Sequence, residues 1–246
     1  MHPVLFEIRG FEITTFGALV AIGALVGLWM FRGELYRSGL PESALNAALA
    51  GIIGGAAGAK LLWTIEHLGT DDWRALLFSR GGMSWFGGFA GGVLAAMVVM
   101  RRERLSTMTI IAAATPALAV GHAIGRIGCL LVGDDYGTPS TLPWAVAFPR
   151  GLPPTDVPVH PTQIYEAIAL VPIAALLYRL RRRGADDRSI VGLYLVLTAG
   201  TRFTIQWIRE YEPFLGPFGF AHLAALVVMA AGAYLLLTPS PAGSRR

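Results

Sequence analysis

Residues 125–137 read Gly125-Arg126-Ile127-Gly128-Cys129-Leu130-Leu131-Val132-Gly133-Asp134-Asp135-Tyr136-Gly137. The stretch begins inside an apolar run, Ile110 to Val132, long enough to cross the roughly 30 Å hydrocarbon layer of a bilayer as a helix. A guanidinium is thereby placed in the membrane, where insertion costs about 2.5 to 3.5 kcal/mol and the proton cannot be shed. Arg126 is therefore expected to face a protein interior, a wet cavity or an anion. Glycines at 121, 125 and 128 bare the backbone around it, so that a neighbouring helix or a ligand can come close. Two carboxylates and a tyrosine follow where the helix should end. This leaves two readings open: a salt bridge from Arg126 to Asp134 or Asp135 that pins helices together, or a site that takes an anion.

Composition sets the class. Of the 246 residues 54% are hydrophobic and 15% charged, with a mean hydropathy of +0.56. Long apolar runs at that composition mark an all-α polytopic membrane protein. A pI near 9.6 invites a nucleic-acid reading, but the arginines cluster at the ends of apolar segments and are not strung along one face with stacking aromatics. The single cysteine, Cys129, excludes an internal disulfide and any multi-cysteine metal site. No metal or cofactor is expected. Met1 to Arg9 lack a basic leader, and no small-residue cleavage site precedes the first apolar run, so no signal peptide is expected.

Seven apolar runs are candidate transmembrane spans: 13–31, 44–65, 84–100, 108–131, 162–178, 190–208 and 218–237. The third is short and rich in glycine (Gly87, Gly88, Gly91, Gly92), which predicts very close helix packing. Placing the amino terminus outside puts Arg32, Arg37, Arg101, Arg102, Arg104, Arg179, Arg181, Arg182, Arg183, Arg188, Arg245 and Arg246 in the cytoplasm. The outer side then holds only Arg9, Arg74, Arg80 and Arg150. Such a bias predicts amino terminus out and carboxyl terminus in. The whole chain, 1–246, reads as one integral membrane domain. Its one long connection, 133–161, carries prolines at 139, 143, 149, 153, 154, 158 and 161 and is expected to be a stiff outer loop.

Four cations belong to no loop: Lys60, Arg126, Arg202 and Arg209. With the orientation above, Lys60, Arg126 and Arg209 fall towards the outer leaflet and Arg202 sits deeper. Embedded carboxylates are too few to match them, so an anionic ligand is expected, and a phospholipid phosphate is the obvious one. Neutralisation by Glu166, Asp134 or Glu210 is the structural alternative. The outer loop ends in Val159-His160-Pro161-Thr162-Gln163-Ile164-Tyr165-Glu166. Pro161 suits the first helical position, which puts Glu166 just inside the fifth span, facing the bundle, with His160 at its mouth.

Together these motifs resemble the prolipoprotein diacylglyceryl transferase family. The resemblance rests on the 125–137 stretch, His160 to Glu166, Gly81-Gly82-Met83-Ser84 with Gly87-Gly88, and Pro143-Trp144-Ala145-Val146-Ala147-Phe148-Pro149, in matching order along nearly the whole chain. It implies a bacterial inner-membrane enzyme of seven helices. Such an enzyme moves the diacylglyceryl group of phosphatidylglycerol onto the lipobox cysteine in the signal peptide of a prolipoprotein and releases glycerol phosphate. Arg126 matches the family's essential arginine, Arg209 the arginine at the end of its sixth span, Gly137 the glycine closing its signature, and His160 and Glu166 its histidine-proline segment; Arg126, Arg209, His160 and Glu166 are expected to be catalytic, and Lys60, Arg202, Gly137, Asp134, Tyr136 and Gln163 to bind substrate. The chain departs from the family at four places: Phe86 follows Trp85 where a histidine is common, Cys129 replaces asparagine, Asp134 replaces glutamate and Phe16 replaces tyrosine. A second reading follows from them, a divergent paralogue that binds an anionic phospholipid without this transfer or acts on another acceptor.

The orientation makes a direct prediction. Reporter tags in the loops at Arg102 and Arg182 are expected to register cytoplasm, and one near Thr155 the opposite side. A tag near Arg182 found outside overturns the orientation and the leaflet assignment with it.

Overall fold

Each apolar run corresponds to a helix in the computed structural model, which describes residues 4–8, 11–69, 72–79 and 82–238. The helices are α1 (Thr15–Ser38), α2 (Ala44–Glu66), α3 (Trp73–Phe78), α4 (Trp85–Arg102), α5 (Thr107–Val132), α6 (Thr162–Arg182), α7 (Asp187–Gln206) and α8 (Phe220–Leu237). Five of them, α1, α2, α5, α6 and α8, are long and apolar enough to cross a membrane. α7 carries Asp187, Arg188 and Arg202, and glycine, which adds little hydropathy, fills much of α4. Large side chains such as Leu25, Trp29, Ile53, Leu94 and Val227 are exposed on these helices, a surface suited to hydrocarbon.

Helices outrun the apolar runs at their arginine-bearing ends: α1 continues to Ser38 and α6 to Arg182. Arginine and glutamate are strong helix formers, so hydropathy marks where a span ends and not where the helix does. The all-α expectation needs amendment by four short strands. β1 (Val4–Ile8) pairs antiparallel with β2 (Phe11–Thr14) just before α1, and β3 (Val146–Phe148) pairs antiparallel with β4 (Thr155–Val159) in the connection between α5 and α6. At five residues or fewer, with Pro158 inside β4, these strands carry too little alternation to be read from sequence. Arg9, Arg80, Arg245 and Arg246 of the orientation count, and Gly81 of the glycine run, lie outside the described residues.

The chain divides into two units, Phe31–Ile110 and a second made of Met1–Met30 with Ile111–Arg246. In the first, α2 and α4 meet at glycines. A Cβ on Gly54 would lie 2.8 Å from the Gly91 carbonyl oxygen, and one on Gly92 would lie 3.0 Å from that of Gly51. The close packing expected of the third apolar run is therefore present, backbone against backbone. In the second unit α1 and α5 meet the same way, a Cβ on Gly23 lying 3.0 Å from the Gly121 carbonyl oxygen. α5 and α6 bury Ala119, Ala123, Leu170 and Ala174 together, with Val120 and Tyr194 packed on them. A tight turn joins α6 to α7: Gly184 takes a φ of 72°, and the Asp186 carboxylate caps α7 by accepting the Ser189 N–H at 3.1 Å. Glu166 on α6 and Arg202 on α7 are about equally far from that turn, so the antiparallel pair brings them to one level. α7 then meets α8 at Gly192 and Gly232, where a Cβ on Gly192 would sit 2.7 Å from the Gly232 carbonyl oxygen.

Gly91→Val would drive a side chain into the Gly54 carbonyl and within 3.0 Å of the Gly58 Cα. Overpacking of this kind costs about 1 to 3 kcal/mol, to be read as a lower thermal midpoint in detergent. Gly33→Ala, a helical position whose Cβ meets nothing within 4 Å among the described residues, is expected to be neutral or to stabilise by up to about 1 kcal/mol. Equal midpoints for Gly91→Val and the unmutated protein would show that α2 and α4 are not held by backbone contact.

Candidate active site: an arginine cluster on Glu166

α6 begins with Thr162 and Gln163 buried, and Glu166, one turn in, is 3% exposed. Three guanidiniums reach its carboxylate. Arg126 of α5 places Nε against Oε2, Arg202 of α7 donates from Nη1 to Oε1 at 3.1 Å, and Arg209, three residues past the end of α7, brings Nη1 to 3.7 Å from Oε1. A second carboxylate closes the cluster. Asp135 accepts from Arg126 Nη1 at Oδ2 (2.6 Å) and from Arg209 Nη2 at Oδ1. Three cations thus pair with two carboxylates, and the Asp134 carboxylate lies close enough to act on Arg209 as well. Arg126 and Arg209, mostly out of water, are donors that an anionic ligand could take over from a carboxylate.

The signature stretch is strung across the start of α6. α5 stops where Gly133 turns to a φ of 77°, with the Gly133 and Asp134 N–H groups both donating to the Cys129 carbonyl (2.8 and 3.1 Å). Asp135 follows with a φ of 63°, a left-handed conformation that aspartate tolerates better than most residues. Thr162 Oγ1 donates to the Asp135 carbonyl at 2.8 Å and Gln163 Nε2 to the Asp134 carbonyl at 2.5 Å. Gly137 N–H donates to the His160 carbonyl at 2.9 Å, and Thr138 N–H to the Ile208 carbonyl at 2.8 Å, next to Arg209. Three segments thus converge at Gly137, where a Cβ would lie 2.9 Å from both His160 Cβ and Thr162 Cγ2.

The structure brings Arg126, Arg202, Arg209 and Glu166 together as the sequence suggested. Asp135, and not Asp134, supplies the second carboxylate: the left-handed turn at Asp135 aims its side chain at the arginines, a choice between neighbours that spacing alone cannot make. The Asp134 Oδ1 is buried without a hydrogen bond among the described residues. Gln163 and Gly137 serve as fastenings of the stretch. Tyr136 points into the loop, its hydroxyl donating to the Pro153 carbonyl at 2.7 Å and its ring stacked 5.3 Å from Phe148. His160 Nδ1 lies 3.3 Å from the Tyr165 hydroxyl, which accepts from Trp144 Nε1 at 2.7 Å; among the described residues it makes no hydrogen bond to the arginines or Glu166.

Cys129 Sγ lies 4.0 Å from Arg126 Nη1. Phe16 packs where a Cβ on Gly128 would be 3.3 Å from its ring. Lys60 belongs to the other unit, where Nζ donates to Ser79 Oγ and O (2.8 and 2.9 Å) and sits 4.6 Å from the Trp63 ring. Phe86, in that unit too, is half exposed and edge-on to Trp85 at 5.4 Å.

One further residue escaped the sequence reading. His222 of α8 is fully buried, its Nδ1 accepting the Gly219 N–H at 3.2 Å. Trp207 (4.4 Å), Tyr211 (4.7 Å) and Phe203 (5.3 Å) surround its ring and flank Arg202 and Arg209 in the chain. The only signal was a lone histidine in an apolar run.

Glu166→Ala would leave three guanidiniums facing one carboxylate. A broken buried ion pair costs about 3 to 5 kcal/mol, so unfolding in detergent should occur at markedly lower temperature. A midpoint unchanged by the substitution would mean that water already solvates the cluster.

A sequence profile of the family described as prolipoprotein diacylglyceryl transferase matches residues 3–238. The phosphatidylglycerol–prolipoprotein diacylglyceryl transferase of Clostridium tetani (strain Massachusetts / E88) is 30% identical over 213 residues, 85% of this chain and 86% of that protein. The protein of the same name from Nitratidesulfovibrio vulgaris (strain DSM 19637 / Miyazaki F) is 29% identical over 96% of this chain and 93% of its own length. That from Chromohalobacter salexigens is 31% identical over 89% and 84%. The match takes in every residue of the arginine cluster, and the chain belongs to the prolipoprotein diacylglyceryl transferase family.

Proposed function

We propose that this protein transfers the diacylglyceryl group of phosphatidylglycerol to the lipobox cysteine thiol in the signal peptide of a prolipoprotein, releasing glycerol phosphate. The observation that carries the proposal is the convergence of Arg126, Arg202 and Arg209 on one site, in a chain of this family. The thiolate sulfur attacks the terminal carbon of the diacylglyceryl group. A sulfur–carbon bond forms, the carbon–oxygen bond to the phosphate breaks, and its electron pair leaves on the phosphate oxygen. Arg126 and Arg209 hold that phosphate and stabilise its growing charge; preorganised donors in a dry site contribute a few kcal/mol each, about 3 by analogy with single oxyanion donors. Arg202 supports them, and Glu166 fixes the positions of all three.

The acceptor thiol starts with an ordinary pKa near 8.5 and has to lose its proton. His160, held by Tyr165 at the mouth of α6, is the proposed base. Asp134, Tyr136, Gly137 and Gln163 shape the substrate site by fixing the stretch between α5 and α6, and Lys60 secures the segment at Ser79 and Gly82. In the bacterial cytoplasmic membrane the chain forms one integral domain with α1, α2, α4, α5, α6, α7 and α8 as seven spans. Its amino terminus and the proline-rich loop 133–161 lie outside, and its carboxyl terminus inside.

Purified protein given phosphatidylglycerol and a lipobox peptide is expected to release glycerol phosphate. Arg126→Lys should lose nearly as much rate as Arg126→Ala, about 100-fold or more, because a point charge does not replace a planar fork that meets two anions at once. Full activity in a well-expressed Arg126→Ala protein would remove the cluster from the mechanism. Lipid binding without release of glycerol phosphate would favour the non-transferring paralogue.

A further inference from the structure

The two carboxylates of the cluster are not equivalent. The Glu166 side chain is 4% exposed, on a helix, and meets three arginines. The Asp135 side chain is 41% exposed, stands on a left-handed turn, and meets two. Its backbone is anchored independently by Thr162 Oγ1 on the carbonyl (2.8 Å), so the side chain can leave the arginines without the turn moving. Its oxygens are divided, Oδ2 on Arg126 Nη1 at 2.6 Å and Oδ1 on Arg209 Nη2. A phosphodiester offers the same thing: two unesterified oxygens sharing one negative charge. A guanidinium keeps its proton near neutral pH, so the donors themselves are not switched off by a modest change of pH.

We propose that Asp135 is an internal substitute for the substrate phosphate. It occupies the Arg126 and Arg209 donors, yields them to the phosphodiester of the lipid, and retakes them as the product leaves. Asp135 is then the residue that sets phosphate affinity in this chain. The proposal rests on the transferase reading above for the identity of the two phosphates, but not for the exchange of anions itself.

The test compares the unmutated protein with Asp135→Asn and Asp135→Glu, in detergent and in nanodiscs of phosphatidylcholine doped with phosphatidylglycerol. Asp135→Asn should bind phosphatidylglycerol several-fold more tightly and be inhibited by glycerol phosphate about tenfold more strongly, the scale of one nearby charge at partial burial. Asp135→Glu, which restores the competing charge, should return both towards the unmutated values. Loss of two ion pairs lowers the thermal midpoint of Asp135→Asn without lipid, and the rise on adding phosphatidylglycerol should exceed that of the unmutated protein. Inorganic phosphate as competitor separates a site for any phosphate from one for the lipid headgroup: displacement of lipid by millimolar phosphate in Asp135→Asn alone supports the exchange. Weaker or unchanged lipid binding in Asp135→Asn overturns the proposal, as does a variant that does not fold even with lipid, since Asp135 would then be a fixed brace. An unmutated protein that releases no glycerol phosphate while Asp135→Asn still binds lipid more tightly removes the transferase reading and leaves the exchange standing.

Discussion

Three guanidiniums on one buried carboxylate is the interaction on which the rest depends. An arginine inside an apolar bundle cannot discharge itself, as a lysine or histidine can, and so needs a permanent counter-charge. Glu166 is that charge for Arg126, Arg202 and Arg209 at once. Without it, three like charges held close together in low dielectric would lean on Asp135, and their repulsion would take up a large part of the fold's margin of stability. One of their partners, Asp135, is 41% exposed, and that opening separates a site from a closed structural brace.

Bringing arginines from α5, α7 and the segment after α7 to one carboxylate on α6 requires backbones that come near each other, and glycine supplies the means. α1 meets α5 at Gly23 and Gly121, and α7 meets α8 at Gly192 and Gly232, each with carbonyl oxygens where a side chain would otherwise begin. In a bilayer, where apolar side chains gain little by leaving lipid, such close contact does much of the work that hydrophobic burial does in water. The stretch after α5 is fixed differently. Its backbone amides and carbonyls are bonded one by one to Thr162, Gln163, His160 and Ile208. A turn that has lost its helical partners is thereby satisfied and aimed.

Much of this was legible in the sequence. The apolar runs located the long helices because spans are a matter of length and hydropathy. Charged residues in apolar surroundings located Arg126, Arg202, Arg209 and Glu166 because their cost is too high to be incidental. What remained hidden is what depends on local backbone geometry. Asp134 and Asp135 are adjacent and chemically alike, and only the φ of 63° at Asp135 decides which faces the arginines. The hairpin of β3 and β4 is too short to announce itself between prolines. His160 and Tyr136 were placed by their neighbours in sequence, whereas the hydrogen bonds of one run to Tyr165 and of the other to Pro153.

Arg209 poses a separate problem, since it stands beyond the end of α7 and a long side chain on an irregular segment has many rotamers to lose. Its neighbours supply the order. Trp207 and Tyr211, on either side of it, both lie against the buried ring of His222, as does Phe203 beside Arg202. His222 in turn is fixed by the Gly219 N–H on Nδ1, which makes that nitrogen an acceptor and the ring neutral, its proton on Nε2. The aromatic packing at the start of α8 thus performs for Arg209 what helical geometry performs for Arg126 and Arg202.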